Sequence, residues 1–277
     1  MLVNSAAMLA EAKKKRYAVV AANFFDIDSA RCFVTAAEEE QRPLILAFAQ
    51  VHHDTGILSL EEAALIGKYY AEKVSTPVVL HLDHGTDEAF IEKAMQLGFS
   101  SVMLDASMDS FEKNVERTKA VVQAAHKLAI SVEAEIGHVG TGSEYNGLDD
   151  SDSVYTTPDE AVRFAELSGV DSLAISVGTA HGVYKNNVKP EIQFERLHEI
   201  DSLVSIPLVL HGGSGTGDDN LSRCAHEGIS KINVFTDFLK GGYKGIKEAD
   251  PADYLALKAA ADAGMRATLL HYMRLFA

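Results

Sequence analysis

Three His-Gly pairs carry the clearest chemical potential in this sequence: His84-Gly85, His181-Gly182 and His211-Gly212, each placed where an apolar, β-type run stops. Neutral imidazole is a favoured ligand for zinc and similar divalent ions, and three of them with an open fourth position suit a metal used as a Lewis acid. The glycine after each histidine lets the backbone turn sharply or come close to a bound ligand. Asp83 stands beside His84, and its carboxylate suits proton transfer next to a metal; the alternative is a helix cap or an outer partner of His84. Among the other histidines, His52, His53, His126, His198, His226 and His271 read as surface or helix residues, and His81 reads as buried in its strand. His138 falls in an irregular stretch.

For these groups to meet, the fold must converge strand ends. Strands are expected at 17–22, 43–49, 78–82, 101–104, 130–134, 171–177, 208–210 and 229–234. Between and around them, helices are expected at 4–16, 29–41, 60–74, 87–97, 111–128, 158–167, 191–200, 218–227 and 236–247. Short, nearly all-apolar strands separated by amphipathic helices imply a parallel sheet covered on both faces. Eight such units predict an α/β fold, a closed (β/α)8 TIM barrel forming one domain over residues 1–277 with a C-terminal helical extension. A doubly wound open sheet is the alternative. A barrel carries its functional groups at the C-terminal ends of its strands. Asp83, His84, Asp105, Glu135, His181, His211 and Asn233 all fall there. Residues 137–157 are too long for a simple connection and are expected to form a mobile loop or lid.

The second half adds a candidate phosphate cradle. Gly212-Gly213-Ser214-Gly215-Thr216-Gly217 precedes one helix and Asn233 to Thr236 opens the next, so two successive loops are expected to offer backbone N–H groups to an anion. TIM barrels characteristically hold phosphate after strands seven and eight, and Lys185 is placed to add a positive charge.

Composition sets the limits. A net charge of −15 argues against nucleic acid or an anionic membrane as partner, because either calls for a basic face. The basic cluster Lys13-Lys14-Lys15-Arg16 suits a solvated helix end and is given no binding role. Two cysteines, Cys32 and Cys224, show neither metal-ligand spacing nor a disulfide framework. They read as buried small hydrophobes in a reducing compartment, so a cytoplasmic location is expected. Neither a signal peptide nor a membrane span is expected from the apolar patterning.

Five ordered motifs, at 81–85, 132–137, 178–185, 210–215 and 231–236, resemble the class II, metal-dependent ketose-bisphosphate aldolases, which include fructose- and tagatose-bisphosphate aldolases. The resemblance spans nearly the whole chain. It implies that His84, His181 and His211 bind catalytic Zn2+ and that Asp83 transfers the proton at the carbon–carbon cleavage. Asp105 and Glu135 would lie at or near an alternative metal position. Asn23, Gly182, Lys185, Gly212, Ser214, Asn233 and Thr236 would surround dihydroxyacetone phosphate, and backbone near Gly182 and Gly212 would hold Na+ or K+. Glu144 would take the role of the family's loop glutamate if that loop shifts register. The expected partners are a phosphosugar substrate and further copies of the chain, as a dimer or tetramer.

The chain departs from that pattern at the far half of the substrate. Ala49 stands where many relatives carry Ser or Thr, Phe235 where they carry Asp, Asn or Ala, and Ala252 where an Asp-Pro-Arg arginine reaches the distal phosphate bound to a neighbouring subunit. Losing that guanidinium removes a bidentate phosphate clamp. Two expectations follow: an aldehyde that lacks a terminal phosphate or is a different acid or deoxy sugar, or an ordinary bisphosphate held by another cation such as Arg31, Arg223 or Arg266. A non-catalytic stabilising subunit and a zinc hydrolase on the same fold are the alternatives outside aldol chemistry.

Overall fold

Buried on both faces, the β-type runs pair in parallel and in chain order in a computed structural model that describes residues 1–137, 155–180 and 190–277. The strands are β1 (Val19–Asn23), β2 (Leu44–Ala49), β3 (Val78–Gly85), β4 (Ser101–Leu104), β5 (Ser131–Ile136), β6 (Ser172–Ile175), β7 (Leu208–Leu210) and β8 (Ile229–Val234). Closure runs from Val19↔Lys231 to Ala22↔Val234, so the sheet has no edge and the open-sheet alternative is excluded. Outward-facing Leu46, Phe48, Leu80, Leu82 and Val102 join the helices in one continuous core.

The helices form where amphipathic segments begin with side chains that satisfy the first N–H groups. α2 (Ile27–Glu40), α4 (Leu60–Glu72) and α7 (Pro158–Ser168) each open with a capping box built on Asp26, Ser59 and Thr157. α5 (Glu88–Leu97) and α6 (Phe111–His126) are capped by Asp87 and Ser110. At the N-terminal end of the barrel, α1 (Ser5–Lys15) places Leu9 and Ala12 against Val19, Ala21, Ile45 and Val79. Ser5 Oγ also lies 2.8 Å from Ser131 Oγ. α1 therefore packs over that end of the barrel interior, and the C-terminal strand ends are left open.

Two elements exceed the sequence reading. A five-residue helix, α3 (Gln50–Asp54), follows β2 directly; it is too short to show any period in sequence. The expected C-terminal extension is a 22-residue helix, α11 (Tyr254–Leu275), packed along α10 (Thr236–Ala249). β6 ends at Ile175, and α8 (Phe194–Leu203) begins slightly later than its pattern suggested. α9 is Asp218–Glu227. No described helix is long and apolar enough to cross a membrane.

α10 and α11 approach so closely because glycines line their contact. A Cβ added at Gly264 would sit 2.1 Å from the Gly241 carbonyl oxygen, which is rigid backbone. Gly264→Ala is therefore expected to push the helices apart. Overpacking of this kind costs about 1–3 kcal/mol, against a helix-propensity gain of about 1 kcal/mol. Urea denaturation should show a lowered midpoint with an unchanged slope.

Candidate active site

The C-terminal mouth of the barrel holds a pocket of about 600 Å³, with Asp83, His84, Asp105 and Glu135 in its floor and Gly212, Ser214, Asn233 and Thr236 on one side. Asp83 is 3% exposed. Its carboxylate is clamped by two amides: Asn23 Nδ2 donates to one oxygen at 2.7 Å and Asn233 Nδ2 to the other at 2.8 Å. Burial pushes the Asp83 pKa upward, but the positive charge of His84, with that of Lys231 beyond it, outweighs this and holds it well below the usual carboxylate range. Asp83 is an ionised, oriented acceptor.

A strand normally alternates its side chains, so adjacent residues cannot share a face. β3 escapes this rule at the site. Its pairing with β4 runs Leu82↔Val102 and then Gly85↔Leu104, which inserts one extra residue, and His84 takes φ +49° in the left-handed region. The bulge brings both Asp83 and His84 to the pocket. His84 Nδ1 donates to Asp105 Oδ2 at 2.8 Å, and Ser107 Oγ donates to Asp105 Oδ1 at 2.7 Å. Burial lowers the His84 pKa, yet the carboxylates of Asp83, Asp105 and Glu135 override it and raise the value to about 10.

His211, fully buried, lies 4.5 Å from His84 between ring centroids, and its Nδ1 is 3.9 Å from Asp83 Oδ1. Its Nε2 is 3.0 Å from Glu133 Oε1. Burial, then the neighbouring His84 charge, lowers its pKa and keeps the ring neutral. Asp83, His84 and His211 offer ligand atoms within 4.8 Å of one another, as do His84, Asp105 and Glu135. Imidazole and carboxylate donors in this mixture fit a borderline divalent cation such as zinc. His181, Gly182, Lys185, Glu144 and His138, with most of the expected lid, lie outside the described residues.

The cradle is narrower than the glycine pattern suggested. Gly213 N–H donates to the Asn233 carbonyl, Thr216 N–H to the Gly213 carbonyl, and Gly215 N–H to Asp237 Oδ2 at 3.0 Å. Ser214 Oγ accepts from Phe235 and Asp237 N–H, both at 3.2 Å, so its own proton is left to donate. Tyr272 on α11 bonds the same Asp237 oxygen at 2.7 Å. Gly212 has φ +71°, and a Cβ there would meet the Ala180 carbonyl at 2.6 Å, so only glycine fits. What this side of the pocket offers an anion is therefore the Ser214 and Thr236 side chains and the N-terminus of α10, with the N–H groups of Gly213, Gly215 and Thr216 already bonded to Asn233, Asp237 and Gly213.

Several other groups sit differently from their sequence reading. Asn23 lines the pocket as expected of a substrate contact, but its amide also braces Asp83. His52 is a correction: it lies on α3, yet it is 3% exposed and lines the pocket, with its ring 4.9 Å from Phe235 and 5.9 Å from Phe48. Glu133 and Lys231 were not singled out. The signal for them is a charged residue in a strand that is otherwise buried, two positions before a polar residue of the pocket: Glu133 before Glu135 and Lys231 before Asn233. His81 is buried, and burial together with Lys231 pushes its pKa down to about 3. Cys32 and Cys224 are buried thiols, each pushed up to about 12 mainly by burial.

Over residues 3–277 the sequence matches the family model described as fructose-bisphosphate aldolase class-II. It is 38% identical over 256 residues to the sulfofructosephosphate aldolase of Alkalicoccus urumqiensis, covering 91% of this chain and 88% of the relative. It is 35% identical to a fructose-bisphosphate aldolase of Thermus caldophilus, with 92% of each chain covered. The crystal structure of the YdjI aldolase from Escherichia coli K12 matches with a TM-score of 0.89 at 33% identity, over 100% of this chain and 98% of that one.

The raised pKa of His84 has a measurable consequence. Near neutral pH its metal-free ring is protonated, and a divalent cation taking Nε2 must displace that proton. Zinc uptake is expected to release about one proton from this residue, read by titration calorimetry in buffers of different ionisation enthalpy. His84→Gln should remove that release.

Proposed function

The chain belongs to the class-II fructose-bisphosphate aldolase family, and on that premise we propose that it reversibly cleaves a ketose 1-phosphate into dihydroxyacetone phosphate and an aldehyde. The observation that carries this reading is the Asp83 carboxylate, clamped by Asn23 and Asn233 beside His84 and His211 at the floor of the pocket. In it, His84, His181 and His211 hold zinc, with Asp105 and Glu135 near a second position. When bound, the metal supplies a Lewis acid for the negative charge that develops on the ketone half as the bond breaks.

The chain's own groups do the rest. Asp83 accepts the C4 hydroxyl proton during cleavage and returns it during addition. Its two amide donors fix which oxygen lone pairs face the substrate. Ser214, Thr236 and the α10 N-terminus take the phosphate, with Lys185 and Gly182 as further contacts. Glu144 is the candidate for proton exchange on the ketone half. A Schiff-base route finds no support in the barrel interior: Lys231 is 1% exposed, and its amine is bonded to both oxygens of Glu133.

The far half of the pocket is walled by Ala49, Gln50, Val51, His52, Asp54 and Phe235. Among the described residues no lysine or arginine lines it. Arg31 pairs with Asp28 and Asp262, Arg223 with Glu227 and Arg266 with Glu39. This wall supports an aldehyde without a terminal phosphate. The relative from Alkalicoccus urumqiensis is itself named for a substrate other than fructose bisphosphate.

Two measurements test this reading. Asp83→Asn should keep its metal content and lose about 10²–10⁴-fold in retro-aldol turnover; a near-native rate at full metal content would overturn the proton-transfer assignment. Ketose 1-phosphates should be cleaved faster than the corresponding 1,6-bisphosphates, by release of dihydroxyacetone phosphate coupled to its reduction. Equal or faster cleavage of the bisphosphates would sink the altered-aldehyde reading.

A further inference from the structure

Beneath the pocket floor lies a polar cluster that the proposed reaction does not itself use. Lys231 on β8 and Glu133 on β5 meet across the barrel, with Nζ 2.7 Å from each carboxylate oxygen and side chains 1% and 2% exposed. Glu133 Oε1 lies 3.0 Å from His211 Nε2, and Ser172 Oγ donates to Oε2 at 3.4 Å. On the other flank of the ammonium, His81 Nε2 is 3.3 Å away, and His81 Nδ1 is 2.9 Å from Ser101 Oγ.

The chemistry fixes every direction in this chain of bonds. An ammonium only donates and an ionised carboxylate only accepts. His81 therefore accepts through Nε2 and donates through Nδ1–H to Ser101. His211 must carry its proton on Nε2, donated to Glu133. A fully buried ion pair seldom adds net stability over apolar side chains of similar volume. β5 and β8 are not neighbours in the sheet, so the pair plays no part in strand pairing.

We propose that Glu133 and Lys231 are positioning residues for His211. They hold its ring with the proton on Nε2, so that Nδ1, on the Asp83 side, presents its lone pair toward a divalent cation. Lys231 supplies the positive charge that keeps Glu133 ionised and accepting. The role rests on the reading of His211 as a metal ligand.

The test uses the full chain and zinc alone, with affinity measured by competition against a chromogenic chelator. Glu133→Leu with Lys231→Met removes both charges and the acceptor; Glu133→Gln with Lys231→Met removes both charges but keeps an oxygen acceptor. The first is expected to bind zinc about 10- to 100-fold more weakly, the usual effect of losing an outer partner, with a urea midpoint no lower than native. The second should recover most of the loss. Native-like zinc affinity in the first variant would overturn the role. A native chain that takes up no zinc would overturn the metal-ligand reading beneath it, an outcome visible before any variant is made. Should the Leu/Met protein fail to fold, nitrogen NMR of the His211 ring in the metal-free native chain decides: a protonated Nε2 and bare Nδ1 support the role, and a proton on Nδ1 rejects it.

Discussion

Charge buried inside a closed barrel must be answered by partners from the barrel itself, because burial takes it away from the bulk solvent that would stabilise it. The interior here carries Asp83, Glu133, Glu135, Lys231 and three imidazoles, all close to the barrel axis. Lys231 answers Glu133, His84 and Lys231 hold Asp83 ionised, and Asn23 and Asn233 fix its orientation. A change at one member is felt by the others. Removing one partner of a buried pair leaves the other uncompensated, at a cost of about 3–5 kcal/mol. The same coupling makes the pocket floor rigid, and a rigid floor is what electrostatic preorganisation requires.

That constraint explains why local backbone strain is tolerated at the site. Holding His84 in the left-handed region costs on the order of 1–3 kcal/mol. The bulge that imposes it lets one strand deliver an acid and an imidazole from adjacent positions. An unbulged β3 would turn one of them out toward the helices. Asp105, at the end of the next strand, then receives the His84 Nδ1 proton.

The two sides of the pocket differ in kind. On the β7–β8 side, Ser214, Asp237 and Tyr272 tie the glycine-rich loop to α10 and α11 by hydrogen bonds. The opposite wall comes largely from the short helix α3 and the aromatic contact of His52 with Phe235. Packing contacts of that sort can change residue by residue without disturbing the charged floor. The family resemblance accordingly speaks to the bond chemistry, whereas in the proposed reading the aldehyde would meet the wall that holds Ala49, His52 and Phe235.

Much of this was legible before any fold was seen. Runs of β-type residues too short and too apolar for anything but a covered parallel strand, separated by helical periods, dictated eight strands and their order. His-Gly pairs at the ends of those runs marked candidate ligands, and two of them, His84 and His211, do meet at the pocket. The losses are equally instructive. His52 lacks the His-Gly context at a strand end, and the five residues of α3 are too few for a periodicity argument to reveal its buried side. Two of the loop glycines, Gly213 and Gly215, spend their N–H groups on the Asn233 carbonyl and on Asp237, which the sequence does not reveal.

The sequence by itself determined the barrel, the strand ends and the residue types gathered there, because burial pattern and side-chain chemistry are local properties of the chain. Only the tertiary structure decided which nitrogen of each histidine faces the pocket, that Glu133 and Lys231 meet across the interior, and that β3 bulges at Asp83 and His84. Those outcomes depend on distances between residues as far apart as positions 133 and 231, set by how the strands register around a closed ring.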